Sequence, residues 1–406
     1  MESIFLSLSS SVLMLPRNSA SFILLIASLV TSQPSVEKFS VPETILSLAT
    51  RINAASDNTG NYVFSPLGIS TALNLLLLGA EGDTKQQLRS FLKYRPEVPD
   101  NRVHDVFSNI LNKLNEGQDE VEIKIANGVI TQRGLGLESN YVESSKKYKT
   151  ETGTLDFKNA PETALNTINN WVAEKTSNKI TQLLAQPPPS GTKMIILNAI
   201  YFKGQWENPF PVEQTRTDAF SAPDGPTSAE YMVNVLTVPY AESTELDCKA
   251  IVLPYKGLQY GMLFLLPNGD DPQAVQKLEA KLSVQSINQL MEEDMKFRST
   301  TVRIPKFKIR QSFSVRPTLQ RAGAGGIFGT GANLSRITRD PVVVDDILHQ
   351  AFIEVTEDGT EAAAATGITL SRDAPSKNFI ANKPFAFIIR HNRLDLSLFH
   401  GRVVKP

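Results

Sequence analysis

Cysteine is almost absent from this chain, since Cys248 is the only one among 406 residues. No intramolecular disulfide can form, so the stability of the fold depends on packing alone. Residues 250–253, which follow shortly after, are all apolar, and this predicts a partly buried strand position for Cys248. A reactive thiol is the less favoured interpretation.

Histidine and the common enzyme motifs are scarce as well. The four histidines are His104, His349, His391 and His400, and none stands in a metal-ligand spacing with another histidine, a cysteine or an acid. His104 falls on a predicted amphipathic helix and His391 in a predicted turn, so both are expected in solvent. The chain has no Gly-x-Ser-x-Gly elbow and no phosphate loop, and its glycines at 323–331 fit a flexible connection. Nothing in this pattern supports an enzyme, a metal site or a cofactor.

Charge of either sign is not in excess. The formal net charge is -1, which gives no electrostatic reason to expect nucleic acid or an anionic membrane as the partner. Charged residues make up 20% of the chain and hydrophobic residues 41%, as in ordinary globular proteins. The length suffices for one large domain or for two.

The N-terminus has an apolar run at 22–30, which is shorter than the roughly 20 residues that a membrane-spanning helix needs. Arg17 precedes the run, and Val30 and Ser32 are small residues placed for cleavage before Gln33. This arrangement predicts a secretory signal peptide over 1–32 and therefore a secreted, extracellular protein. A translation start at Met14 and a buried N-terminal helix are the alternatives.

The rest of the chain shows no linker, low-complexity tract or repeat, so we predict one domain over 37–406. Apolar residues at helical spacing predict helices at 67–78, 103–114 and 163–177. Runs rich in Ile, Val, Phe and Tyr predict strands at 194–203, 250–255, 261–267, 301–309 and 384–390, and Leu394, Leu396 and Leu398 alternate as in a further strand. Helices followed by strands indicate the α+β class.

A segment near the C-terminus reads Glu-Asp-Gly-Thr-Glu-Ala-Ala-Ala-Ala from Glu357 to Ala365. By propensity alone, a short alanine-rich helix is favoured. As a strand, every second residue forms one uncharged, mostly small face: Thr360, Ala362, Ala364, Thr366, Ile368 and Leu370. No proline interrupts the donors before Pro375, so such a strand could slip between two existing strands.

This segment resembles the hinge motif of inhibitory serpins. The other matching segments are Asn61-Tyr-Val-Phe-Ser-Pro66, Leu197-Asn-Ala-Ile-Tyr-Phe-Lys-Gly-Gln-Trp206, Asn382-Lys-Pro-Phe385 and Leu398-Phe-His-Gly-Arg-Val403. The chain is therefore similar to the serpin family over almost everything after the signal. The resemblance implies a single α+β domain with a large central β-sheet, helices mainly in the N-terminal half, and an exposed reactive loop at about 357–378.

The resemblance also implies a mechanism. In serpins the loop is held outside a central sheet that is more stable with the loop inserted, so the fold is kinetically trapped. A serine protease attacks the loop as a substrate and forms an acyl-enzyme. The freed strand inserts into the sheet and carries the tethered protease to the opposite end of the serpin. The oxyanion hole of the protease is distorted, so deacylation stops. The inhibitor is consumed once per target.

Roles at the entry to the sheet follow from the same resemblance. The hinge residues are Gly359, Thr360, Glu361, Ala362, Ala363, Ala364, Ala365 and Thr366. Glu357 is expected to pair with Lys306 near Trp206, in the region called the breach, where insertion begins.

Ser65, Asn198 and His349 match the shutter, a polar cluster under the centre of the sheet that controls strand separation. A structural role is therefore expected for His349. Gly68 stands where the family often has a second serine, which predicts a looser network here.

Two adjacent peptide bonds are candidates for cleavage by the protease. Counting from the hinge, the commonest loop length places Asp373 before the scissile bond, which suits a protease with a basic pocket. Secreted trypsin-like proteases carry an acid in that pocket instead, and Arg372 is one residue away. We predict cleavage at Arg372–Asp373, with Asp373–Ala374 as the rival.

The expected partner is an extracellular, trypsin-like serine protease, and the protein is expected to be a monomer. Basic residues are sparse on the helix that begins near Val103, so no heparin site is indicated. Asn333 begins the only glycosylation sequon. A non-inhibitory serpin that acts as a carrier or storage protein is one alternative, and an inhibitor of Asp-specific proteases is another.

Overall fold

The structure is a computed structural model that describes residues 40–115, 121–360 and 375–406, and these belong to one compact unit beginning at Ser40. The predicted signal peptide at 1–32 lies outside the described residues. So do the hinge residues from Glu361 onward and both candidate bonds at 372–374.

The α-helices of the described residues fall mainly in the first half of the chain. They are α1 (Val41–Ala55), α2 (Pro66–Gly79), α3 (Gly82–Phe91), α4 (Asp100–Asn115), α5 (Ser139–Ser145), α6 (Pro161–Lys175), α7 (Ala274–Lys281), α8 (Val284–Gln289) and α9 (Arg316–Leu319). The helices predicted from periodicity correspond to α2, α4 and α6 and are confirmed.

The strands form two sheets. They are β1 (Tyr62–Phe64), β2 (Val121–Gln132), β3 (Thr150–Leu155), β4 (Met194–Gln205), β5 (Arg216–Ala222), β6 (Gly225–Ser243), β7 (Cys248–Pro254), β8 (Tyr260–Pro267), β9 (Lys296–Pro305), β10 (Phe307–Ser314), β11 (Asp346–Thr356), β12 (Gly359–Thr360), β13 (Lys377–Ile380), β14 (Phe385–His391) and β15 (Leu396–Val403). A nine-stranded sheet has the order β1-β15-β14-β8-β7-β6-β9-β13, with β5 paired to β6. A six-stranded sheet has the order β10-β11-β12-β4-β2-β3, and β11 also pairs directly with β4.

Helix α2 links the two sheets, because it packs against both β4 and β15. It begins where Ser65 accepts a hydrogen bond from the Gly68 N–H at 3.1 Å and Pro66 occupies the first turn. Nearly every residue of α2 is buried, so this helix is part of the core and does not form a solvent-facing layer.

The prediction of a single strand over 301–309 is wrong. The segment is divided at Lys306 into β9, which belongs to the nine-stranded sheet, and β10, which belongs to the six-stranded sheet. Pro305 ends the first strand, and the chain changes sheets at this point. The late strand predicted from Leu394, Leu396 and Leu398 exists as β15, but it begins at Leu396. All residues of β15 are buried, so the predicted alternation of buried and exposed residues is wrong.

Two histidines predicted to be in solvent are buried instead. His104 is 6% exposed, and its Nδ1 lies 2.6 Å from the Tyr148 hydroxyl. His391 is also 6% exposed and packs edge-on against the ring of Tyr260. Amphipathic spacing located the helix of His104 correctly, but it did not reveal that an aromatic residue from a distant segment covers this position.

Cys248 lies at the start of β7 and is fully buried. Burial raises the pKa of its thiol to about 12, so the reactive thiolate form is disfavoured. The glycine-rich connection at 323–331 is not irregular throughout, because short helical turns continue to Phe328. Gly323 has φ of 96° and makes the bend between these turns, a conformation that glycine adopts without strain.

Candidate functional site: the entry to the six-stranded sheet

At the centre of the six-stranded sheet, β11 and β4 are separated by β12 at one end, which we call the open end, and pair directly with each other along the rest, which we call the closed part. β11 and β4 run parallel and pair directly over Asp346–Phe352 and Ile195–Tyr201. Beyond this pairing, the two residues of β12 lie between them, opposite Val355–Thr356 on one side and Gly204–Gln205 on the other. The first two hinge residues therefore already occupy the position of an additional antiparallel strand.

Thr360 is the residue of β12 that anchors this position. Its side chain is fully buried, and its Oγ1 lies 2.7 Å from the hydroxyl of Tyr255. The ring of Tyr255 stacks on Trp206 with 4.6 Å between centroids. A Cβ at Gly359 would lie 2.1 Å from the carbonyl oxygen of Gly204, so only glycine fits at that hinge position.

Glu357 precedes β12 and is held by three kinds of contact. Thr215 Oγ1 donates to its Oε1 at 2.8 Å, and Lys306 Nζ lies 3.4 Å from the same oxygen. Burial raises the pKa of Glu357, but hydrogen bonds from its own backbone and from Thr215, together with the charge of Lys306, outweigh it. The net shift is downward, so the carboxylate stays ionised here. Lys306 also lies 3.5 Å from Glu230.

Trp206 contacts the backbone on both sides of Glu357. Its indole Nε1 donates to the Thr356 carbonyl at 3.1 Å, and its backbone N–H donates to the Asp358 carbonyl at 2.8 Å. The structure thus brings together the three residues expected at the breach. Tyr255 completes the group and was not predicted from the sequence.

A hydrogen-bond chain crosses the closed part of the sheet. His349, Asn198 and Asn127 are directly opposite one another on β11, β4 and β2. The Ser65 N–H donates to His349 Nε2 at 2.9 Å, which leaves the proton on Nδ1, 2.7 Å from Asn198 Oδ1. Asn198 Nδ2 then donates to Asn127 Oδ1 at 2.7 Å, and Asn127 Nδ2 donates to the Tyr148 carbonyl at 2.8 Å. We call Ser65, His349, Asn198 and Asn127 the His349 network.

Burial keeps the imidazole of His349 neutral, because it lowers the pKa of this side chain to about 3. Only a neutral Nε2 can accept the hydrogen bond from Ser65. The three predicted shutter residues are therefore in contact, and the side chain of His349 joins two strands without any access to solvent.

The expectation of a looser network at Gly68 is wrong. A Cβ at this position would lie 2.2 Å from Asn198 Oδ1, so the amide of Asn198 occupies the space that a side chain would need. Asn127 was not predicted. The signal in the sequence is its place between Ile125 and Val129, where a polar residue in a buried strand requires a partner.

Asn333 is exposed and lies in an irregular segment just before the turn at 335–337, as the glycosylation prediction requires. Its backbone N–H is bound by Thr84 Oγ1 at 2.8 Å, and its side-chain oxygen accepts from the Ser335 N–H at 3.2 Å. The segment is thus fixed by the backbone N–H and the side-chain oxygen of Asn333, and the residue is exposed.

A family comparison matches residues 43–406 to the model described as serpin (serine protease inhibitor). The chain belongs to the serpin family. Human Serpin B3 is 35% identical to this serpin over 369 residues, which cover 85% of this chain and 94% of Serpin B3. The leukocyte elastase inhibitor of Xenopus tropicalis is 35% identical over 357 residues, with 86% and 94% coverage.

Solved structures give the same result for the fold. Human thyroxine-binding globulin, solved in complex with thyroxine, matches this serpin with a TM-score of 0.83 at 25% identity, over 90% of this chain and 98% of that one. The α+β class and the family are confirmed, and the family places this serpin with protease inhibitors and not with enzymes. Within the described ranges, no helix is both long and apolar enough to cross a membrane.

Proposed function

We propose that this serpin is a secreted suicide inhibitor of a trypsin-like serine protease, cleaved at Arg372–Asp373, with Asp373–Ala374 as the rival bond. The observation that carries the proposal is the position of β12 between β11 and β4. An antiparallel strand started there can be extended only by residues with free backbone donors and small, uncharged inward side chains. The alternate residues from Ala362 to Leu370 are uncharged and mostly small, and no proline lies among them.

The proposed chemistry is that of a stalled acyl transfer. The protease serine attacks the carbonyl carbon of Arg372, its histidine takes the serine proton, and the new amine end at Asp373 leaves with that proton. Arg372 is then joined to the protease as an ester. Extension of β12 along β11 and β4 draws the ester and the protease along the sheet, and loss of oxyanion-hole geometry halts hydrolysis.

Denaturing electrophoresis after mixing with trypsin tests this proposal. A covalent complex is expected, and the released C-terminal peptide should begin at Asp373. The variant Arg372→Ala is the matched control, and it should form far less complex with trypsin. Complete cleavage without any complex would contradict inhibition, and a peptide beginning at Ala374 would contradict cleavage at Arg372–Asp373 and favour the rival bond.

A carrier function is the second candidate, and the structural similarity to thyroxine-binding globulin favours it. Hinge residues with bulky or charged inward side chains would support it, whereas Thr360 is small, uncharged and buried. Thermal unfolding before and after loop cleavage separates the two functions. An inhibitor should gain stability once the loop has inserted, and a carrier without insertion should not.

Secretion and glycosylation complete the proposal. The proposed signal peptide at 1–32 predicts a mature N-terminus at Gln33. The proposed serpin domain covers 37–406, and its reactive loop lies at about 357–378. N-terminal sequencing of protein secreted by cultured eukaryotic cells tests the first point. The variant Asn333→Gln should run faster on a denaturing gel if a glycan is attached, and a protein retained in the cell would contradict secretion.

A further inference from the structure

The hydroxyl of Tyr255 is a buried polar group that meets the hinge where β12 enters the sheet. Tyr255 follows β7 and is fully buried, and its hydroxyl lies 2.7 Å from Thr360 Oγ1, so that either oxygen can donate to the other. The Met262 sulfur lies 3.6 Å from the same hydroxyl and is only a weak acceptor. Burial raises the pKa of Tyr255, so the hydroxyl stays protonated. A buried hydroxyl needs a partner, and Thr360 provides it.

The ring of Tyr255 is held in one position by its neighbours. It stacks on Trp206 at an interplanar angle of 17°, and Phe202 packs edge-on against it with 4.9 Å between centroids. A Cβ at Gly204 would lie 2.8 Å from the ring, so the ring rests on the β4 residue that pairs with Thr360. The hydroxyl is therefore fixed at one point along β4 and does not follow a hinge that moves along the strand.

Thr360 is the hinge residue that matches this hydroxyl. A shift of the strand by one residue would bring Gly359 or Glu361 against it, and a shift by two would bring Asp358 or Ala362. Two of these residues are charged and two have no polar side-chain group, so each shift would bury a charge or leave the tyrosine hydroxyl unpaired. A shift by one would also turn every side chain to the other face of the sheet. Insertion in a shifted register is thus disfavoured at its first residue.

We propose that Tyr255 is a positioning residue for loop insertion, and that its hydroxyl fixes the register in which the inserted strand extends from Thr360. An acyl-enzyme that is not distorted in time is hydrolysed, so a strand that starts in the wrong register yields cleaved serpin and active protease. This inference rests on the proposed function, because it takes the extension of β12 between β11 and β4 as the step that stalls the protease.

The number of serpin molecules cleaved for each covalent complex formed with trypsin tests this role in the full-length chain. Tyr255→Phe keeps the ring and leaves the Thr360 hydroxyl unpaired, so this number should rise by roughly threefold or more. The rate of loop cleavage should stay within about twofold, because the reactive bond is unchanged. Thr360→Val should act in the same direction, whereas Thr360→Ser keeps the hydroxyl and should match the unchanged protein.

Tyr260→Phe is the matched control. Tyr260 is also buried and packs edge-on against Phe202 with 5.7 Å between centroids, and among the described residues no hydrogen bond joins it to Thr360. This variant should leave the number of cleaved molecules per complex unchanged. Equal numbers for Tyr255→Phe and Tyr260→Phe would overturn the proposal. Thermal unfolding of the uncleaved proteins checks that each variant folds.

The double variant Tyr255→Phe/Thr360→Val separates a paired role from two independent ones. Each single change leaves one buried hydroxyl without its partner, and the double variant leaves none. Its number of cleaved molecules per complex should therefore lie below the product of the two single effects. A value equal to that product would overturn the proposal, because the two hydroxyls would then act separately.

The proposed inhibition can fail separately from the role of Tyr255. If the unchanged protein is cleaved without any complex, inhibition is overturned, and insertion is then measured as the gain in the unfolding midpoint after loop cleavage. A smaller gain in Tyr255→Phe than in Tyr260→Phe would support the proposal, because a strand in a shifted register buries charged residues. An equal gain would overturn it.

Discussion

The two ends of the β11–β4 pair are held by different chemistry. Where β12 separates the strands, the contacts include an ion pair between Glu357 and Lys306, whose side chain is 32% exposed. Where the strands pair directly, the fully buried His349 network joins them. Partly exposed ion pairs contribute little to stability, whereas a buried and satisfied network is costly to disrupt. The sheet is therefore easy to open as far as β12 extends, and the His349 network resists opening beyond that point.

A charge at the open end should have the largest effect. Thr360→Arg would place a guanidinium where the native side chain is fully buried against Tyr255. An unpaired charge is too costly to bury, so β12 should leave the sheet and insertion should fail. We expect the stable complex with trypsin to decrease at least tenfold on a denaturing gel, with cleaved serpin in its place. Thr360→Ser keeps the hydroxyl and should behave like the unchanged protein; equal complex formation by both variants would contradict the role of β12.

Removing the middle of the His349 network should destabilise the native state. Asn198→Ala leaves the Nδ1–H of His349 and the Oδ1 of Asn127 without partners, at about 1–3 kcal/mol for each group. The midpoint of thermal unfolding should therefore fall by several degrees. Asn378→Ala, at an exposed position of β13, is the control and should change the midpoint little.

The variant Asn198→Ala also tests whether the Asn198 amide leaves no room for a side chain at Gly68. Gly68→Ala should be destabilising because its methyl group meets the amide of Asn198. In the Asn198→Ala background the space is free, so the same change should cost less. Additive effects of the two substitutions would show that the contact is not the cause.

Acid should weaken the two regions in different pH ranges. The pKa of His349 is lowered to about 3 in the folded state, so the unfolded chain binds more protons below its ordinary pKa near 6.5. Stability should fall from pH 6.5 downward by about 1.4 kcal/mol per pH unit for this group. His104 and His400 act in the same direction, since burial lowers their pKa values to about 4 and about 3.

The carboxylate of Glu357 has a lowered pKa, so its contribution is present above the ordinary carboxyl value and is lost only at more acid pH. Thermal unfolding between pH 7 and 5 should therefore report the histidines and not the ion pair. His349→Gln should reduce the slope in this range, and Glu357→Gln should leave the slope unchanged. A midpoint that does not change between pH 7 and 5 would contradict the assignment of a neutral, buried His349.

Loss of the ion pair itself should have the smallest effect. Lys306→Met removes a contact at 3.4 Å from a side chain that remains partly in solvent, and such pairs contribute about 0–1 kcal/mol. Thermal unfolding of this variant should differ from the unchanged protein by at most a few degrees. A decrease as large as that of Asn198→Ala would mean that the open end is not the weaker region.

The features that could be predicted from the sequence are those that depend on residues close together along the chain. Helical spacing located α2, α4 and α6, and the motifs around Ser65, Asn198 and His349 led to three residues that are in contact. The sequence did not predict the division of one apolar run at Lys306, because the run reads as one strand and only the tertiary fold assigns its halves to different sheets. Asn127, Tyr148 and Tyr255 were missed for the same reason, since their partners lie on distant segments.

The register of β12 has a consequence for how the His349 network is divided. Thr360 is opposite Val355 and Gly204, and His349 and Asn198 each lie six residues earlier on their own strands. An antiparallel strand that continues this register would bring Thr366 between the histidine and the asparagine. The network would separate at the single bond between His349 and Asn198, leaving Ser65 with one half and Asn127 with the other. A threonine hydroxyl both donates and accepts, so the residue that separates them could also reconnect them.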